Sequence, residues 1–126
     1  MEASLKYAQE RKAFGMPIAE LQAIQMKLAQ MIMKIDAAKL LVFKAAYMRD
    51  SGIDHSRESS EAKLFATTIA NEITREAVQI HGGYGYVREY HVERMMRDAK
   101  VTEIYEGTSE IQHIVIAREL LKNYPL

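Results

Sequence analysis

Apolar residues recur along this chain at three- and four-residue steps, the period of a helix with one buried face. The longest run covers about residues 19–50. Leu21, Ile24, Leu28, Met31, Ile32, Ile35, Ala38, Val42 and Ala45 fall on one line, while Lys27, Lys34, Lys39, Lys44 and Arg49 lie mostly off it. Ser51 and Gly52 close the run. A second stripe, Ala62, Phe65, Ala66, Ile69, Ile73, Ala77 and Ile80, predicts a helix over about 57–81. It stops at Gly82–Gly83, where a left-handed C-terminal turn asks for residues without a Cβ. Residues 2–13 favour helix by propensity until Gly15 and Pro17 break it. A short helix fits 89–97. A last helix is expected to start near Thr108 or Ser109 and run to about 122, with Ser109 and Gln112 at the spacing of a capping box. No segment reads as a convincing strand, and there is no internal repeat. Helices joined by short connections predict an all-α, antiparallel up-and-down bundle.

Composition supports this picture. With 126 residues the chain can bury one real core. Only 6 glycines and 2 prolines are present, too few for many turns. The 8 methionines suit irregular helix contacts. Basic and acidic residues balance at 17 each, so no nucleic-acid or anionic-membrane partner is indicated. Cysteine is absent, which excludes a disulfide framework and a thiolate metal site. No apolar run reaches about 18 residues, so no membrane-spanning helix is expected. The first residues carry no targeting signal and open directly into helix-like sequence, as expected of a piece of a longer chain.

The candidate chemistry is narrow. His55, His81, His91 and His113 are far apart, and Glu110 with His113 forms a lone Glu-x-x-His where a di-metal bundle needs two. No metal site is expected. The serines lack a nucleophile-elbow context. Gly83-Tyr-Gly85 follows a helix rather than a strand, which removes the dinucleotide-fold reading. Two segments remain. QIHGGYGY over 79–86 has one glycine more than a helix cap requires, so an extended turn there could let a ligand approach the backbone closely, although glycine turns are commonly structural. EIYEGTSEIQ over 103–112 puts Glu106 just before a glycine and a predicted helix N-terminus. A carboxylate there is either a charge partner for the helix end or a general base beside anion-binding amides, and on the residues alone the first reading carries more weight.

The run RDAKVTEIYEGTSEIQ over 97–112 resembles the signature of acyl-CoA dehydrogenases. ERKAFGMPI over 10–18, followed by Leu21-Gln22, resembles that family's flavin-contacting entry to the C-terminal domain. QIHGG over 79–83 resembles its Gln-x-x-Gly-Gly loop. The three motifs occur in order and span nearly the whole chain, and YEGTSE is most like the short-chain, butyryl-type members. The resemblance implies that Glu106 is the catalytic base and that Gly107 lies against the substrate. It implies that Thr108, Ser109 and Glu110 contact FAD within the same subunit. Arg11, Gln22 and Gln79, Ile80, His81, Gly82 and Gly83 would reach the FAD of a neighbouring subunit, with Arg11 suited to a pyrophosphate.

The implied reaction is α,β-dehydrogenation of an acyl-CoA. Glu106 takes the α-proton and the β-hydrogen leaves as hydride to the flavin. The thioester oxygen is held by the Glu106 backbone N–H and a flavin ribityl hydroxyl. An electron-transfer flavoprotein is the implied electron acceptor and a homo-oligomer the implied assembly. The location would be the cytoplasm of a bacterium or the mitochondrial matrix of a eukaryote. The family's N-terminal helical domain and middle β-domain are not in this sequence, and its first bundle helix is represented only by its end. The expectation is therefore a C-terminal domain over 1–126 that is inactive alone. Two rivals are a non-catalytic helical interaction module and the domain of an acyl-CoA oxidase. The first is tested by whether Glu106 and Gly82–Gly83 share an open ledge.

Overall fold

A computed structural model of the chain describes residues 1–124. The helices are α1 (Glu2–Glu10), α2 (Gln22–Asp50), α3 (Ser56–His81), α4 (Val92–Val101) and α5 (Ser109–Asn123). α3 is within a residue of the extent that its stripe predicts, and α2 ends at the predicted residue but starts at Gln22, about three residues later than expected. The first helix ends earlier, at Glu10, and the short helix sits later, at 92–101 rather than 89–97.

The break after α1 contains a structure that periodicity missed. β1 (Lys12–Ala13) pairs antiparallel with β2 (Met16–Pro17) in a two-residue hairpin. Its tip residues, Phe14 and Gly15, have φ of 54° and 83°. Positive φ at both central residues is what a tight hairpin turn demands. Four residues of ladder leave the architecture all-α.

α3 is the central helix, and every other helix packs on it. α2 runs antiparallel along one side, held by Lys27–Glu76 and Lys34–Glu72 ion pairs at the edges of the seam. These two lysines therefore do not simply point away from the buried face; they flank it. Beyond α3 the chain turns back, and α4 and α5 retrace α3 in the opposite direction. Asn71 of α3 donates to the Ala99 carbonyl in the last part of α4, 2.9 Å away. The core joins Tyr7 and Ala8 of α1, Ile18, Met31 of α2, Ile69, Ile73, Ala77 and Ile80 of α3, and Val92 of α4.

On α3 the stripe is buried at Ala62, Ile69, Ile73, Ala77 and Ile80 and half-buried at Phe65 and Ala66, but that on α2 is covered less. Met31 and Ala45 are buried, whereas Ile32 and Val42 are exposed. Ile35, Ala38 and Val42 face Ala66, Ile69 and Ile73 across an open apolar groove of about 320 Å³. α2 also exposes Met26, Met33, Leu40, Phe43 and Tyr47, with Phe43 at the edge of that groove. A helix apolar on nearly all sides is one whose partners are incomplete.

Candidate functional site

The predicted site residues fall into two groups, one at each end of α3. At its C-terminal end, Arg11, Ile80, His81, Gly82 and Gly83 border a cavity of about 750 Å³. Tyr7, Ile18, Ile80 and His81 make its floor. The Tyr7 and His81 rings stack at 4.2 Å, and Tyr90 meets Tyr7 edge-on at 5.7 Å. Burial pushes the Tyr7 phenol above its ordinary pKa, against the smaller opposing effect of Arg11. The His81 ring is buried and its Nδ1 bonds the Ala77 carbonyl at 2.7 Å. Since a carbonyl only accepts, Nδ1 carries the proton. His81 thus serves the floor by packing, and Ile80 does the same.

The rim is polar and open. The Arg11 guanidinium lies over the Tyr84 ring, 5.2 Å from its centre. Gly82 and Gly83 have nothing within 4 Å of where a Cβ would stand. Gly82 has φ 59° and ψ −138°, a glycine conformation but not the left-handed helical turn that the sequence suggests. The GGYG stretch winds into a short 3-10 turn rather than an extended one. Its last glycine, Gly85, approaches protein rather than open space: a Cβ there would lie 2.4 Å from the Val78 carbonyl oxygen. Gln22 and Gln79 are exposed at the same end of the bundle but do not line the cavity. Phe14 at the hairpin tip is 89 % exposed, and sequence reasoning did not single it out. The available signal was an aromatic residue directly before the turn glycine.

The fit to a flavin dinucleotide can be judged from these residues. A guanidinium fixed beside bare glycine backbone suits an anionic, flat-ringed group laid across the rim. Glu89 on the same rim carries the opposite charge, so the anion-facing part is the Arg11 side. The donor set fits.

The second group lies in the loop between α4 and α5. Glu106 is exposed, with φ 53°, and Gly107 follows at φ 89°. The backbone N–H groups of Glu106 and Gly107 donate to nothing among the described residues. Thr108 is the N-cap of α5, its hydroxyl accepting from the Ile111 N–H. The expected capping box does not form. Gln112 turns instead toward the loop, donating to the carbonyls of Glu106 and Gly107. The Glu110 carboxyl is held below its ordinary pKa, first by its own backbone N–H and next by the Thr108 hydroxyl. Ser109 opens the helix, its N–H donating to the Glu103 carbonyl.

The two groups do not meet within one chain. Lys63 of α3 donates to the Gly107 carbonyl, while Gly82 directly follows α3. On a rise of 1.5 Å per residue, about 28 Å of helix separates those two points. Both motifs are open, but they do not share a ledge. Among the described residues no cluster of three or more metal-binding side chains occurs, and no helix is long and apolar enough to cross a membrane.

Comparison with known proteins accords with these features. Residues 1–121 match the family described as acyl-CoA dehydrogenase, C-terminal domain. A probable acyl-CoA dehydrogenase of Bacillus subtilis is 57% identical over 97% of this chain and 32% of its own length. A caffeyl-CoA reductase–Etf complex subunit of Acetobacterium woodii is 53% identical over 97% of the chain and 32% of its own. The structure of butyryl-CoA dehydrogenase from Megasphaera elsdenii superposes with a TM-score of 0.94 at 47% identity, covering 95% of this chain and 31% of that one. The chain thus spans about a third of the length of the curated relatives it matches.

Proposed function

This chain belongs to the acyl-CoA dehydrogenase family, matching its C-terminal domain over nearly its whole length, and on that premise we propose that it supplies the base of a flavin-dependent α,β-dehydrogenation of acyl-CoA thioesters. One observation carries the reading: an exposed carboxylate, Glu106, stands beside two backbone N–H groups without partners among the described residues, in the segment most like the family's signature.

The α-proton of a thioester is only weakly acidic. Its removal needs hydrogen bonds to the thioester oxygen that strengthen as enolate charge develops. The Glu106 N–H is free to give one, and the Glu106 carboxylate takes the proton. FAD, when bound, accepts the β-hydrogen as hydride. Arg11, Gly82 and Gly83, over the packed floor of Ile80 and His81 and with Gln22 and Gln79 exposed at the same end, would hold the dinucleotide there, and Thr108–Glu110 would touch it at the other end. Because about 28 Å of α3 lies between those ends, one flavin using both must draw them from two copies of the chain. The uncovered apolar face of α2 supports such an assembly. A base of this kind works best shielded from bulk water. Glu106 is exposed here, so the remaining walls of the pocket come from outside these residues. The acyl-CoA is read as short-chain, from the likeness to the butyryl-CoA enzyme, and an electron-transfer flavoprotein as the redox partner, from the relative that works in an Etf complex. That relative is a reductase, and the same geometry run backward has Glu106 return a proton to the α-carbon of an enoyl thioester.

The test is Glu106→Gln in the full-length, FAD-loaded enzyme containing this domain. The swap is nearly isosteric, so fold and flavin content should persist. General-base catalysis contributes roughly 100- to 10,000-fold, and flavin bleaching by butyryl-CoA should slow by at least that much. A wild-type bleaching rate in the variant means that Glu106 is not the base.

A further inference from the structure

The loop that carries Glu106 adopts a conformation its own residues do not favour. Glu106 and Gly107 both have φ near or above +50°. Glycine accepts this freely, but a glutamate there is uncommon and strained. Something outside the loop must hold it, and two side chains do. The Lys63 ammonium reaches from α3 to the Gly107 carbonyl at 2.7 Å, across 44 residues of sequence. The Gln112 amide nitrogen lies 3.3 Å from the Glu106 carbonyl and 3.2 Å from that of Gly107. Gln112 is 9 % exposed, so a polar amide has been taken from water to serve this loop. Lys63 has no carboxylate partner among the described residues and directs its charge at a carbonyl instead. The fit is close: a Cβ on Gly107 would come within 2.7 Å of the Gln112 nitrogen.

We propose that Lys63 and Gln112 are positioning residues that clamp the Glu106–Gly107 carbonyls and so aim the Glu106 carboxylate. In a planar peptide the carbonyl and the N–H point in opposite directions. Pulling the Glu106 and Gly107 carbonyls toward α3 therefore turns the N–H groups of Gly107 and Thr108 away from the bundle. It also fixes the torsions at Glu106, from which its side chain springs. The clamp rests on the reading of Glu106 as the base. A displacement of about 1 Å in such a group costs roughly 100-fold in rate.

The experiment uses the full-length, FAD-loaded enzyme containing this domain, with Lys63→Met, Lys63→Arg and Gln112→Leu, each also in the Glu106→Gln background. Flavin bleaching on rapid mixing with butyryl-CoA gives the rate at saturation and, from its concentration dependence, the substrate Kd. Flavin content and thermal midpoint report folding. Lys63→Met and Gln112→Leu should slow bleaching by about 10- to 100-fold while Kd changes by less than about threefold. Lys63→Arg, which keeps a charged donor, should recover most of the rate. In the Glu106→Gln background, Lys63→Met should lower the residual rate no further, because no base is left to aim. Wild-type bleaching by flavin-replete Lys63→Met and Gln112→Leu overturns the proposal. So does an equal slowing in both backgrounds, which is the mark of a merely structural role. Should Lys63→Met fail to fold, Lys63→Arg and Gln112→Leu decide the matter by the same criteria. A wild-type rate in Glu106→Gln alone refutes the base assignment, and the clamp falls with it.

Discussion

Replacing Gly85 by alanine should destabilise this domain far more than the same change at Gly83, although Gly83 belongs to the recognisable motif. Gly85 ends the 3-10 turn that caps α3. Its added Cβ would lie 2.4 Å from the Val78 carbonyl oxygen, 2.9 Å from the His81 Cβ and 3.0 Å from the Val78 Cα. All three atoms belong to the last turns of α3, not to the flexible tip of a side chain. Relief requires the turn to lift by on the order of 1 Å from a close-packed helix. That movement pulls on His81 and on its stack with Tyr7. Forced overpacking costs about 1–3 kcal/mol, and rigid neighbours put this case toward the upper end. At roughly 3–5 °C per kcal/mol for a domain of this size, the midpoint should fall by about 10 °C. Gly83→Ala meets nothing within 4 Å and needs no positive φ, so its midpoint should stay within about 3 °C of wild type. Thermal unfolding followed by far-UV circular dichroism measures both. Protein concentration is held fixed because association shifts the midpoint. An unchanged midpoint for Gly85→Ala, or equal losses for the two variants, would show that the turn does not pack against α3 in this way.

Three further outcomes are expected. The 126-residue chain alone should bind FAD weakly and should not oxidise butyryl-CoA in the presence of an artificial acceptor, because each end of α3 offers only part of the proposed flavin site and binding must overcome several kcal/mol of lost freedom; micromolar binding with turnover in a titration contradicts this. The same chain should self-associate through the bare face of α2, so sedimentation velocity should show a concentration-dependent oligomer that Leu40→Lys with Phe43→Lys disperses; a monomer at high concentration counts against it. Glu58 is buried, and the hydrogen bond from Arg57, helped by the nearby Arg57 and Lys44 charges, holds its carboxyl below the ordinary value. A depressed folded-state pKa gives stability that is fully present above the unfolded value of about 4.3 and lost as pH falls below it. Glu58→Gln should therefore narrow the difference in stability between pH 6 and pH 3, read by denaturant unfolding, and an unchanged difference would remove Glu58 from the acid response.

What could be read from the chain alone was whatever near neighbours determine. The period of apolar residues located α3 to within a residue, because helix formation and the facing of its stripe depend on positions three and four apart. The family motifs around Glu106 and at the glycines after His81 were legible for the same reason: each is written in consecutive residues. Long-range placement was not. Gln112 has the right spacing for a capping box, yet the proximity of the Glu106 and Gly107 carbonyls draws its amide away and leaves Thr108 as the cap. Lys27 and Lys34 looked like solvent-facing charges until α3 brought Glu76 and Glu72 to the seam. Gly85 left two readings open, a structural turn, which was favoured, and a close approach of ligand, and packing shows that what approaches is the end of α3 itself. Most consequential is the distance between the two motif groups. A sequence orders them but carries no length between them, and only a rigid helix of 26 residues turns that order into a separation that one subunit does not bridge.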